Sequence, residues 1–208
     1  MTLTFRALPS SIAGHQKKKL LGYVVDGENS NYSVKNIVMF LKDVQQKTGA
    51  EKIHLIAHSM GNRALTDALM LLHQEEFHKT FLFNQIILAA PDIDAQLFLR
   101  DIAPKIINCS GRVTIYASSK DKALKVSKKL HGNLNRVGQI TDQILTIKGI
   151  DTIDASKVRT DLLGHGYFSS TAPLIQDIFH LTKNNLSPQE RNLKKIQTDN
   201  GLYWAFND

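Results

Sequence analysis

Residues 53–65 read IHLIAHSMGNRAL, and the fold turns on how this stretch is parsed. Ile53 to Ile56 form part of an apolar, β-branched run of the kind that makes a buried strand. Ala57-His58-Ser59-Met60-Gly61 then interrupts it with a tight turn, and a helix-forming stretch follows. A strand that passes sharply into a helix leaves its turn at the carboxyl end of the sheet, beside the unpaired N–H groups of the first helical turn. Ala57 and Gly61, two residues either side of Ser59, are small enough for such a turn to clear its neighbours. From Gly61 to about His78, Ala64, Leu65, Ala68, Leu71 and Leu72 recur at helical spacing.

The same alternation extends outward. Strands are expected at Thr2–Phe5, Lys52–His58, Asn84–Ala90, Arg112–Ser118 and Leu145–Ile150, all short and rich in Ile, Leu and Val. Ser33 can cap a helix to about Lys47, with Ile37, Val38, Phe40, Leu41 and Val44 inward. Further helices are expected near Ala95–Ile102, Lys120–Leu130 and Ala172–Leu181. Ser187-Pro188-Gln189-Glu190 reads as a capping box with proline at the first helical position, which predicts one more helix. Alternating β and α elements predict an α/β, doubly wound, mostly parallel sheet with helices on both faces. Residues 1–208 then form one domain, with a core over about 1–183 and a C-terminal helix and tail over 184–208. In such sheets ligands bind beyond the carboxyl ends of the strands.

Composition narrows the classes. Of 208 residues, 42% are hydrophobic and 22% charged, as in ordinary globular domains. The net charge of +7 raises a nucleic-acid partner. Lys120, Lys122, Lys125, Lys128 and Lys129, however, fall between Ala123, Leu124, Val126 and Leu130, as on the wet face of a helix. Lys17-Lys18-Lys19 reads as a loop, and no aromatics are interleaved with the basic residues, so no nucleic-acid partner is expected. No apolar run is long enough for a membrane span. The first residues lack signal-peptide order, so a cytoplasmic location is the default expectation, although a segment preceding them could carry a leader. Cys109, the single cysteine, allows no intrachain disulfide and reads as a small buried thiol.

A serine hydroxyl needs a base to become a nucleophile, and the base needs an acid to orient it. His58 adjoins Ser59, and neighbours on an extended chain point to opposite sides, so it reads as a packing or hydrogen-bonding residue. His54 shares its strand and packs. His15, His73, His78 and His180 sit in polar or helical surface contexts. His165, in Leu162-Leu163-Gly164-His165-Gly166-Tyr167-Phe168, is the candidate base, because flanking glycines permit close approach by another group. His131, followed by Gly132 at the end of the basic helix, is the alternative base. Asp121, after the strand Val113–Ser118, is the candidate acid, and a helix cap is its equal reading. Asp94 is the alternative acid, although Asp92 and Asp94 equally suit a turn and a cap. The order Ser59, Asp121, His165 is that of the α/β-hydrolases. No histidine pair, cysteine cluster, phosphate loop or dinucleotide fingerprint is present, so neither metal nor cofactor is expected.

Four stretches, IHLIAHSMGNRAL, ILAAPDIDAQLF, VTIYASSKDKAL with its following KKLHG, and DLLGHGYF, together resemble one family. It is a bacterial group of α/β-hydrolase-fold proteins, uncharacterised and esterase/lipase-like, with an Ala-His-Ser-Met-Gly nucleophile elbow. The resemblance covers most of residues 20–170, with Gly22–Asp26 and Leu202-Tyr203-Trp204 less specific. It implies Ser59 as nucleophile, Asp121 as acid and His165 as base, acting on a small-molecule ester-like substrate. Asp92 and Asp94 match a motif without an assigned role. Such proteins usually carry earlier strands and a His-Gly loop whose N–H completes an oxyanion hole with the N–H after the serine, here Met60. No His-Gly pair precedes Ser59, and Phe5–Ser10 lacks an expected tryptophan. The chain thus resembles a member without its N-terminal part, which implies self-association through an exposed sheet edge. Two other readings stay open: a non-catalytic binding or scaffold protein on the same fold, and a lysine surface for anionic partners.

Overall fold

The computed structural model describes residues 1–6, 34–79, 82–158 and 172–207. Its centre is a seven-stranded sheet in the order β1-β2-β3-β4-β5-β7-β6. The strands are β1 (Thr2–Arg6), β2 (His54–His58), β3 (Gln85–Ala89), β4 (Val113–Ala117), β5 (Ile150–Asp154), β6 (Lys194–Thr198) and β7 (Gly201–Ala205). All neighbours run parallel except β6 and β7. Every residue of β2, β3 and β4 is buried, which explains why they read as continuous apolar runs rather than as alternation.

Side chains along a strand point alternately to the two faces, and two cores follow from that. One joins Leu55, Ile86, Leu88 and Ile115 to Leu41 of helix α1 (34–47) and to Leu65 and Leu69 of helix α2 (Gly61–Gln74). Phe98 and Ile102 complete it from a compound helix: α3 (Ala95–Leu97), a π-helical turn at Phe98–Ile102, and α4 (Ala103–Ile106). The other core joins the intervening residues Ile56, Ile87, Tyr116 and Ile153 to Leu124 of helix α5 (Lys122–Leu130). Leu174 and Leu181 of the closing helix Ala172–Asn184 pack there too. Helices therefore cover both faces of the described sheet, as the alternation predicts.

Two expectations need correction. The fifth strand is Ile150–Asp154 rather than Leu145–Ile150; Ile147 and Ile150 form an isolated bridge just before it. The expected helix after Ser187 is not formed. Its capping contacts do form, since Ser187 N–H and Oγ both donate to Glu190 Oε2 at 2.7 Å. The chain then turns at Asn192, with φ of 63°, and enters the β6–β7 hairpin. Buried Arg191 donates to Asp177, which also accepts from the Tyr116 hydroxyl, so the residue that would continue the helix is tied to the sheet instead. The local box is outweighed by a long-range anchor.

Candidate functional site

Because β2 to β5 are parallel, everything that follows their last residues lies along one rim of the sheet. Ser59 follows β2 directly and has φ of 55°. A left-handed conformation costs a side-chain-bearing residue roughly 1–2 kcal/mol, so this turn persists only because its surroundings hold it. Ser59 N–H donates to Ala89 O at 3.0 Å, and its carbonyl accepts from Asn62 N at 3.2 Å. Fully buried Asn62 adds two bonds from Nδ2, to Ser59 O at 2.8 Å and Ala89 O at 3.1 Å. The turn is thereby fastened to β3. Ser59 itself is half-buried.

Met60 has helical angles and caps α2 without a side-chain bond. Among the described residues its N–H has no acceptor, and the first turn of α2 carries no acidic residue. A helix start of this kind favours negative charge placed against it. The strained Ser59 thus stands at a strand end beside a helix start whose first N–H, among the described residues, has no acceptor.

Asp121 lies past the end of β4, two strands from β2, and is fully buried. Its Oδ1 accepts from Leu124 N at 2.9 Å, so it caps α5. The capping reading is therefore correct, and it leaves the acid reading open, since a carboxylate has lone pairs for several donors. His165 lies outside the described residues, between β5 and the closing helix. His131 ends α5, and its Nδ1 lies 2.9 Å from Ser127 O; a carbonyl only accepts, so Nδ1 carries the proton. Asp94 caps α3, accepting from Leu97 N at 2.8 Å. Both alternatives thus have local hydrogen-bonding roles. His54 and His58 are buried, and burial holds the His54 imidazole below its ordinary range.

A group that the sequence leaves without a role stands beside the Ser59 turn. Asp92 is wholly buried, and its carboxylate meets two guanidiniums, Arg63 Nη2 at 2.9 Å and Arg136 Nε at 3.2 Å. Ser127 Oγ donates to the same carboxylate at 2.6 Å. Arg63 Nε donates to Asp92 O at 2.6 Å. Burial pushes the Arg63 guanidinium down to about 10, and the neighbouring Arg136 charge adds to the fall. Nothing in the spacing of Arg63, Asp92, Ser127 and Arg136 announces this cluster; only the order of β2, β3 and β4 brings it together.

Among the described residues no group of three or more His, Cys, Asp or Glu side chains is placed to hold a metal ion. No described helix is long and apolar enough to cross a membrane. Residues 10–182 match the family described as "Alpha/beta hydrolase of unknown function (DUF900)". No curated protein and no solved structure matches the chain.

Proposed function

Since the chain belongs to the alpha/beta hydrolase family of unknown function, we propose that it is a serine hydrolase cleaving a carboxylic ester-like bond. Ser59 Oγ attacks the carbonyl carbon, and His165 takes the hydroxyl proton and returns it to the leaving alcohol. Asp121 orients His165 and stabilises its imidazolium form. The resulting acyl-enzyme is released by a water that His165 activates in the same way. Met60 N–H stabilises the oxyanion, and preorganised donors of this kind contribute most when they need not rearrange. The reading is carried by one observation, the left-handed backbone of Ser59 at the strand-to-helix turn. Backbone strain collects at functional sites, and at a strand-to-helix turn it lifts a serine hydroxyl clear of the sheet.

Short-chain p-nitrophenyl esters test it. The purified chain should hydrolyse them, and Ser59→Ala and His165→Ala should each lower kcat by at least about a thousandfold. Asp121→Asn should lower it with KM little changed. Turnover that survives Ser59→Ala undiminished would refute the assignment. A folded chain without turnover or covalent labelling would favour the binding-protein reading of this fold.

A further inference from the structure

The same carboxylate reaches three separate parts of the rim. Arg63, which it binds, stands one helical turn after Ser59 on α2. Ser127, which donates to it, stands on α5, the helix that Asp121 caps. Arg136, its third partner, belongs to the segment that runs back along β3's exit, where Val137 N donates to Ile93 O at 3.0 Å and Gly138 N to Pro91 O at 2.9 Å. Asp92 N–H also points at the Ser59 carbonyl, 3.4 Å away. Two cations share this one buried carboxylate, and Arg63 also feels the charge of Asp67. Removing the carboxylate would leave buried Arg136 without its ion-pair partner and half-buried Arg63 with only the charge of Asp67, which is far costlier than losing an exposed pair.

We infer that Asp92 is a positioning residue for the nucleophile: it locks α2, which starts just after Ser59, to α5, which Asp121 caps. This rests on the reading of Ser59 as nucleophile. Asp92 does not touch the reacting atoms. Its effect passes through Arg63 to the first turn of α2 and through Ser127 to α5, fixing the distance between the two helix starts. Reactivity is steep in such distances, and a displacement of about 1 Å can cost about a hundredfold in rate. A purely structural ion cluster would lower stability and leave the reactivity of the folded fraction unchanged.

The experiment uses an alkyl fluorophosphonate on the full chain. Serine Oγ bonds phosphorus, fluoride leaves, and the hydroxyl proton passes to the base. Inactivation is followed at increasing probe concentration, which separates the limiting rate constant from the half-saturating concentration. Circular dichroism measures the folded fraction. For Asp92→Asn the limiting rate should fall about a hundredfold per folded molecule, with half-saturation unchanged. Ser127→Ala, a milder loss that keeps both ion pairs, should lower it about tenfold, and so serves if Asp92→Asn does not fold. Ser127→Thr, which keeps a hydroxyl, should recover most of that loss. Both deletions labelling within about twofold of the wild-type rate per folded molecule would overturn the inference while the nucleophile stands. A folded wild-type chain that takes no label at all would remove the nucleophile and this inference with it.

Discussion

Gly138 lies against Ala90 so closely that a Cβ at 138 would fall 2.5 Å from the Ala90 carbonyl carbon and 2.7 Å from its Cα. Ala90 has φ of 45° and is fully buried at the exit of β3, two residues before Asp92. The contact is backbone on backbone, so no rotamer change relieves it. Gly138→Ala should therefore destabilise the chain by about 2–3 kcal/mol, read as a lower urea midpoint. It should also slow phosphonate labelling, because the strained turn aims Asp92 at Arg63. Stability unchanged from the parent would contradict this packing.

Replacing the strained serine separates stability from function. Glycine adopts a left-handed backbone without penalty, whereas alanine keeps the strain. Ser59→Gly should be about 1 kcal/mol more stable than Ser59→Ala in urea denaturation, and neither should hydrolyse esters. If the alanine variant is the more stable of the two, residue 59 is not held in the left-handed region.

Cys109 is buried, with Sγ 3.5 Å from Lys105 O and 3.8 Å from Leu69 O. Burial pushes its thiol up to about 11. At about pH 8 the folded chain should react with a disulfide reagent no faster than it unfolds, since the thiolate is the reactive form. Full reaction within seconds in native buffer would show the thiol to be accessible.

Burial raises the Asp151 carboxyl above its ordinary 3.8, against the lowering effects of Arg112 and Arg191. A carboxylic acid with a raised folded pKa binds more protons folded than unfolded. Its contribution to stability is complete below 3.8 and is lost as pH rises through the folded value. Asparagine mimics the protonated form at every pH. Asp151→Asn should match the parent near pH 3.5 and exceed it near pH 7, compared by urea denaturation. A larger advantage at the lower pH would reverse the sign of this account.

How much of this could be read along the chain depends on whether the deciding interaction is local. The strand, turn and helix around Ser59 could be read, because apolar run, small residues and helical spacing all lie within a few residues. Strand β5 is not legible along the chain, because Leu145–Ile150 is the more apolar stretch, while Ile150–Asp154 carries two aspartates. It is a strand because it pairs with β4 along its whole length. The box at Ser187 and Glu190 forms as expected, yet Arg191 is held by Asp177 and the chain pairs as β6 and β7. The hairpin turn at Asp199-Asn200 before Gly201 is a local signal that the capping box obscured. Within the site, Asp121 was readable as both cap and acid, and its position at the β4 exit keeps both roles compatible. The Asp92 cluster was not readable, because its members come from four separate segments and meet only once the parallel order of β2, β3 and β4 is known.

The claim on which the account rests is that Ser59 is the one activated hydroxyl of this chain. Intact-mass and peptide mass spectrometry after exposure to an alkyl fluorophosphonate measures it directly. The account predicts one phosphonyl group per chain, on the peptide containing Ser59, and none in Ser59→Ala. A folded wild-type chain that stays unmodified, or an adduct on another residue that persists in Ser59→Ala, would contradict it.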